Sequence, residues 1–400
     1  MEARVQAPYV SAAGSGRRRA RPRPIGAHRT ISTLHVAQPL DGGVLRVAAD
    51  LVADQIGRGW SVSVACPPES QLAGWAADVG ARVLSWPAVR APGRSLPAEV
   101  RRLAAIVAAE SPDLVHLHSA KAGLAGRLAL RGGRPTVFQP HAWSFEAASG
   151  LMSAGAGAWE RWATRWADVI VCVSADERRR AEGAGIHGRF AEIPNGVDLS
   201  RYTPAGEKER LAARRALGLE NGPLAVVVGR LAEQKGQDDV LRVWPTVLAS
   251  VPEAELWLVG DGPDRTRLQR TAPPRVGFAG ARRDVATWLA AANVLVAPSR
   301  WEAGGSLAII EAMARGRSVI ATDVAGLRET VSGCGAIVAP GSDERLAEAV
   351  VERLRRPAVA DREGAQARRR VEQTRDLTQA TARMADMYLE VLRRRRSQGR

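Results

Sequence analysis

From Thr30 onward, short apolar runs alternate with longer stretches in which apolar residues recur every three or four positions. Residues 31–37, 60–66, 82–86, 114–117, 136–139 and 169–173 read as strands, being short, rich in β-branched residues and bounded by turn formers. Between them, 44–58, 97–110, 121–130, 158–166 and 175–184 carry the helical period, the last with Ser174 as its cap. The same logic returns from Leu224: strands 224–228, 255–259, 276–278, 294–297, 318–322 and 336–338 alternate with helices at 237–251, 264–270, 284–291, around Glu311 and at 343–355. Strands separated by single helices build parallel sheets covered on both faces, so the pattern predicts an α/β chain of two doubly wound, Rossmann-like domains. A central cleft is expected between them.

The breaks in periodicity set the predicted boundaries. Residues 1–29, rich in Arg, Pro, Ser and Gly, are a basic tail outside the fold. An N-terminal domain runs over 30–198, a charged linker over 199–222, and a C-terminal domain over 223–376. A last helix, 377–392, is expected to pack back on the first domain, and 393–400 form a second basic tail.

Composition modifies this picture little. Four hundred residues with 46% hydrophobic content suffice for two or three cores. The net charge of +15 is concentrated at the ends, in Arg17, Arg18, Arg19, Arg21 and Arg23 and in Arg393 to Arg396, and both tails are expected to be disordered. Such a surface suits anionic lipid or anionic nucleotide sugars. Nucleic acid is set aside, because no zinc-finger spacing, RNA-binding aromatic motif or recognition helix accompanies the charge. Cys66, Cys172 and Cys334 are isolated and read as reduced core thiols. No signal-type apolar run and no uninterrupted apolar stretch of membrane-spanning length occurs, so the expected location is cytoplasmic, at the inner face of the cell membrane.

Candidate chemistry gathers where strands end. The strand 224–228 is followed by Gly229, Arg230, Lys235 and Gly236, two cations among glycines at the carboxyl end of a buried strand. Open α/β sheets bind ligands there, and a pyrophosphate would neutralise both charges; a solvated loop with ordinary surface charge is the competing reading. Gly260, in the turn Gly260-Asp261-Gly262, lies at the end of the next strand. Glu302 and Glu311 flank a loop with Gly304, Gly305, Ser306 and Leu307, where ionised carboxylates can accept hydrogen bonds from ribose or hexose hydroxyls. Gly42 and Gly43 join a strand to a helix and are either an anion-facing helix start or a tight turn. His116 and His118 lie two apart in a strand without a nearby carboxylate or cysteine, which argues against metal. His141, beyond strand 136–139, is either a contact to a reacting sugar or a structural histidine.

At these residues the chain resembles the retaining family 4 glycosyltransferases of the GT-B type. The resemblance rests on Gly229-Arg-Leu-Ala-Glu-Gln-Lys-Gly236, on Glu302 through Gly316, on Ile193-Pro-Asn-Gly-Val-Asp198 and on Thr322-Asp-Val-Ala-Gly326. His118 through Arg127 and Pro140 through Phe145 resemble the branch that builds capsule and exopolysaccharide repeat units. It implies that Arg230 and Lys235 bind the donor diphosphate and act in catalysis, that Glu311 holds the ribose and that Glu302 touches the transferred sugar. It also implies that His141 hydrogen-bonds that sugar and that Gly43 lies near the phosphates. Gly260, Gly304, Gly305, Ser306 and Leu307 complete the implied donor site. Eight residues separate Glu302 from Glu311, one more than is usual in the family, so the role of Glu302 is the less secure. The implied reaction moves a hexosyl group from a UDP- or GDP-sugar to a hydroxyl acceptor, such as a lipid-linked saccharide, with retention, using no cofactor and no metal. A nucleotide-sugar epimerase or phosphorylase on the same frame, or a non-catalytic sugar or polyanion binder, are the alternatives.

Overall fold

The computed structural model describes residues 30–146, 149–302, 304, 306–324 and 326–399. The N-terminal basic tail and Gly305 lie outside the described residues. The elements in chain order are β1 (Ser32–Ala37), α1 (Gly43–Gly57), β2 (Ser61–Cys66), α2 (Gln71–Asp78), β3 (Arg82–Ser85), α3 (Leu96–Glu110), β4 (Leu114–His118), α4 (Ser119–Leu130), β5 (Thr136–Gln139), α5 (Gly150–Ala163), β6 (Val169–Cys172), α6 (Ala175–Gly183) and β7 (Phe190–Glu192). There follow α7 (Glu207–Leu217), β8 (Leu224–Val228), α8 (Gln237–Ser250), β9 (Glu255–Val259), α9 (Arg265–Thr271), β10 (Val276–Gly280), α10 (Val285–Ala291), β11 (Val294–Ala297), α11 (Leu307–Ala314), β12 (Ser318–Thr322), α12 (Leu327–Val331), β13 (Ala336–Val338), α13 (Asp343–Arg355), α14 (Pro357–Thr374) and α15 (Leu377–Ser397).

The chain forms two compact units. Unit 1 holds the described residues up to Cys172, Ala181–Ala191 and those from Arg383 on; unit 2 holds Val173–Arg180 and Glu192–Ala382. Unit 1 carries a sheet of order β3-β2-β1-β4-β5-β6-β7, and unit 2 one of order β10-β9-β8-β11-β12-β13. In each, the order reverses once, between β1 and β4 and between β8 and β11. That reversal is the switch point at which helices leave to opposite faces and strand ends are left uncovered. The period-2 alternation of β8 shows the double covering: Leu224 and Val226 enter one core with Ile309, Ile310 and Met313, while Ala225 and Val227 enter another with Val240, Trp244 and Val247.

Three expectations are corrected. The supposed linker contains α7, an element of unit 2 whose buried Arg214 donates to the carbonyl of Ala291 (2.9 Å) and to Asn293 Oδ1 (2.8 Å). Its charges look like a solvated connection in sequence, but half of them cap and tie a helix. The segment Ile193 through Asp198 does not close unit 1: Val197 N donates to Arg375 O (2.8 Å) and Leu377 N to Val197 O (3.1 Å), all within unit 2. A Cβ at Gly196 would stand 2.6 Å from Leu377 Cα, which accounts for the glycine. Finally, Arg393 to Arg396 are helical, because α15 runs on to Ser397 while Arg394 pairs with Glu390 (2.7 Å) and Arg395 with Asp168 (2.6 Å).

Candidate active site

In unit 2 the ends of β8 and β11 meet across the switch point, and glycines make the approach possible. Gly229 leaves β8 at φ 153° and Gly260 leaves β9 at φ 151°, with Gly229 O only 2.0 Å from where a Gly260 Cβ would lie. Gly236 (φ 62°) is crowded in the same way by Pro298 O, 2.0 Å from its missing Cβ, so the turn after β8 is pressed against the chain leaving β11. That contact sets the side chains. Lys235 Nζ forms an ion pair with Glu302 Oε1, which also accepts from Ser299 Oγ (2.8 Å). Glu302 is buried and Lys235 partly exposed. Gln234 bridges the two turns: its Nε2 donates to Trp301 O (3.2 Å), its Oε1 accepts from Arg230 Nη2 (3.4 Å), and its carbonyl accepts from Arg300 N (2.8 Å). The buried Gln237 donates to Arg230 O (2.9 Å) and fixes the backbone that carries the guanidinium.

An ammonium group has three donors, and Glu302 occupies one. The carboxylate therefore aims Lys235 and leaves it capable of further bonds to an anion. Its own position differs from the sequence expectation in one respect: the Glu302 side chain is turned to Lys235 and Ser299, and what it presents to a sugar is whatever acceptor capacity that pair leaves.

The loop after Glu302 is wedged tightly. A Cβ at Gly304 would lie 2.7 Å from Val173 Cγ2 and 3.0 Å from Ser174 Oγ, and a Cβ at Gly326 would lie 2.4 Å from Gly304 Cα. Ser174 in turn accepts from Glu177 N (3.0 Å) while Glu177 accepts from Val173 N (2.7 Å), a reciprocal pair that fixes the start of α6 beside the loop. Arg180 Nη2 donates to Glu302 O (3.4 Å) from the same helix. On α11, which opens at Ser306, Ile309, Ile310, Met313 and Ala314 are buried, whereas Leu307, Ala308 and Glu311 share a partly exposed face at helical spacing. Glu311 is thus a face residue, not a carboxylate sunk in the core.

Unit 1 places its candidate chemistry at its own switch point. Gly42 (φ 99°) precedes α1, with Gly43 as the first helical residue after β1. His35 on β1 is in register with His116 on β4, so His35, His116 and His118 share one sheet face, and all three are fully buried. His118 Nδ1 lies 3.3 Å from Nε2 of His141, which is partly exposed. His141 and Ala142 adopt left-handed backbone, φ 53° and 105°, a strain that non-glycine residues hold only when their surroundings enforce it. Sequence reading missed His35, Gln55 and Tyr388; only the register of β1 on β4 brings the first into the group. Three ring nitrogens, one each from His35, His116 and His118, lie within 4.8 Å of one another, the one grouping of metal-ligand type among the described residues. Yet His35 Nδ1 and His118 Nε2 stand 2.9 Å apart. That is hydrogen-bond distance, shorter than the roughly 3.3 Å between two nitrogens bound tetrahedrally to one zinc ion.

Burial lowers the pKa of His35 to about 4 and holds His116 and His118 well below the ordinary value. The rings are neutral at pH 7. Above pH 6.5 folded and unfolded rings are alike and contribute nothing; below it the unfolded rings take protons that the folded ones refuse, so stability is lost as pH falls toward 4. For His35 alone the loss at pH 4 is about 3 kcal/mol. Urea unfolding of the intact chain, followed by tryptophan fluorescence, should show a midpoint that falls steeply below about pH 6.5. A flat profile would mean that the rings take up protons in place.

Residues 41–201 match the family model described as Glycosyltransferase Family 4, and residues 222–356 match Glycosyl transferases group 1. The alpha-maltose-1-phosphate synthase of Mycolicibacterium smegmatis is 32% identical over 294 residues, covering 64% of this chain and 74% of that protein. The chain belongs to the group 1, family 4 glycosyltransferases. Another relative in this family is the GDP-mannose-dependent monoacylated alpha-(1-6)-phosphatidylinositol monomannoside mannosyltransferase of Corynebacterium glutamicum, 35% identical over 219 residues, or 51% of this chain. The chain spans 58% of the length of that relative. Among solved structures, Anabaena HepE in complex with UDP and glucose has a TM-score of 0.77 at 22% identity, over 90% of this chain and all of that one. WaaG, described as a glycosyltransferase involved in lipopolysaccharide biosynthesis, has a TM-score of 0.70 at 20% identity, over 90% of this chain and 99% of that one. These likenesses show the GT-B fold.

For a chain of this family, two parts of the resembling motifs turn out to be structural. Lys121 pairs with Glu99 (2.6 Å), both buried. Burial pushes the Glu99 carboxyl up, but Lys121, Val89 N and Ser95 together hold it below its ordinary value. Arg127 is wholly buried against Glu160 (2.7 Å) and lies 4.0 Å over the Phe138 ring. Gly123 and Gly126 let α4 lie on the sheet, since a Cβ at either would meet Phe138 or Leu117 at 2.2 to 2.3 Å.

Proposed function

We propose that the chain transfers a hexosyl group from a nucleotide-diphosphate sugar, UDP- or GDP-linked, to a hydroxyl acceptor with retention of anomeric configuration. The observation that carries this is the Lys235–Glu302–Ser299 cluster with Arg230, at the uncovered ends of β8 and β11 in unit 2. As the sugar–phosphate bond ionises, negative charge grows on the departing diphosphate, and the Arg230 fork and Lys235 ammonium stabilise it. Glu311, on the partly exposed face of α11, accepts from the ribose hydroxyls, and Glu302 and His141 contact the transferred sugar. The named relatives support the donor class: the Corynebacterium protein is GDP-mannose-dependent, and an Escherichia coli relative is a UDP-Gal:alpha-D-GlcNAc-diphosphoundecaprenol alpha-1,3-galactosyltransferase. Donor screening by thermal shift, then transfer to a lipid-linked saccharide, tests the reading. A product of inverted configuration would rule out retention, and no stabilisation by any UDP- or GDP-sugar would rule out the donor class.

We further infer a seat at the inner face of the membrane, where a lipid-linked acceptor would be met. No described helix is long and apolar enough to cross one. Leu151 and Met152, 93% and 73% exposed at the start of α5, are suited to dip into a headgroup layer. Sedimentation with anionic vesicles should fall severalfold on Leu151→Asp with Met152→Asp. Unchanged binding would remove this surface from the account.

A further inference from the structure

The histidines of unit 1 form a directed series. His141 Nε2 lies 3.3 Å from His118 Nδ1, His118 Nε2 lies 2.9 Å from His35 Nδ1, and His35 Nε2 lies 3.1 Å from Gln55 Oε1. Thr33 Oγ1 donates to the same Gln55 oxygen (2.6 Å). Thr33, His35, Gln55 and His118 are all buried. A neutral imidazole has one N–H and one lone pair, so the direction of one bond fixes the direction of the next. An amide oxygen only accepts. With the Gln55 amide turned oxygen-first toward Thr33 and His35, the orientation that leaves its buried Nε2 unbonded, His35 carries its proton on Nε2, and Nδ1 is bare to accept from His118 Nε2–H. His118 Nδ1 is then bare in its turn and accepts from His141 Nε2–H. His116 stands beside this series without joining it, its Nδ1 engaged with the Tyr388 hydroxyl (2.5 Å).

We propose that Gln55, acting through His35 and His118, fixes His141 as the Nε2–H tautomer and so leaves His141 Nδ1 as an acceptor for a sugar hydroxyl proton. This deepens the reading that His141 meets the transferred sugar, and rests on it. Gln55 is a positioning residue, separated from the ligand by three histidines. The arrangement suits a hydroxyl that donates, and it disfavours a substituent without a proton at that place. The enforced left-handed backbone at His141 and Ala142 points the same way, since a ring that must meet one hydroxyl has to be held in one position.

The full chain has six histidines, few enough for assignment after selective 15N labelling. In the wild-type protein His35, His118 and His141 should each show a protonated Nε2 and a bare Nδ1. Gln55→Met, which removes the acceptor at nearly constant shape, should give mixed tautomers at His141. It should also lower the kcat for nucleoside-diphosphate release from UDP-glucose or GDP-mannose about five- to tenfold, with little change in KM. A protonated Nδ1 at His141 in the wild-type chain overturns the relay, and needs no variant to fold. Unaltered tautomers and rate in Gln55→Met overturn it as well. If His141→Ala turns over normally, the sugar-contact reading fails and takes the functional half of the proposal with it; if His141→Ala is impaired but the wild-type ring carries its proton on Nδ1, the relay alone fails.

Discussion

Replacing Lys235 with alanine should lower turnover by roughly two to three powers of ten, the scale seen when one charge-stabilising donor is removed from a preorganised site. The ammonium sits in the turn pressed against Pro298, aimed by Glu302 and Ser299 at the uncovered strand ends. Alanine leaves Glu302 with Ser299 as its remaining partner in a buried setting, a cost of about 1–3 kcal/mol in stability. The double change Lys235→Ala with Glu302→Gln separates the two effects, because it relieves the buried charge without restoring the cation. Stability should recover in the double variant and turnover should not. Affinity for a nucleoside diphosphate should fall in both, measured by calorimetry. Normal turnover in Lys235→Ala would remove the diphosphate reading.

The second large effect is on stability. Glu160→Gln should destabilise unit 1 by about 3–5 kcal/mol, because it leaves the Arg127 guanidinium buried without its counter-charge. Arg127 is fully enclosed, with Nε on Gly123 O (2.8 Å), Nη2 on Glu160 Oε2 (2.7 Å) and its plane over Phe138. Glu160 also accepts from Ser144 Oγ (3.0 Å), so the same substitution loosens the segment that follows His141. Changing both partners to leucine removes the charges together and should regain most of the loss, since apolar replacements of buried pairs are often close to neutral. Urea unfolding of the wild type and the two variants checks this. Equal losses in single and double variants would mean that packing volume, not charge, holds α4 and α5.

Much of this was legible in the sequence, and the limits have physical causes. β8 and its following cations declare themselves because a strand buried on both faces is a continuous apolar run that ends abruptly in charge. The placement of Lys235 against Glu302 is a matter of two loops meeting, which no periodicity reports; Gly236 and Pro298 mark it only once the close approach is known. His118 and His141 looked like separate candidates because sequence spacing says nothing of register. The pairing of His35 with His116 puts a third imidazole on their face, and α1 adds Gln55 behind it. Lys121 and Arg127 lie in a run that resembles a functional motif, yet their ion pairs with Glu99 and Glu160 turn them inward. α7 and the end of α15 were misread for the opposite reason: dense charge resembles a solvated segment unless the partners, Asn293 for Arg214 and Asp168 for Arg395, are in view.

A crystal structure with GDP or UDP bound tests the central claim most directly. The account predicts both phosphates at the ends of β8 and β11, within hydrogen-bond distance of Arg230 and of Lys235 Nζ, with Glu311 on the ribose hydroxyls. Phosphates lodged elsewhere, with the Lys235–Glu302 pair untouched and Arg230 turned to solvent, would contradict it.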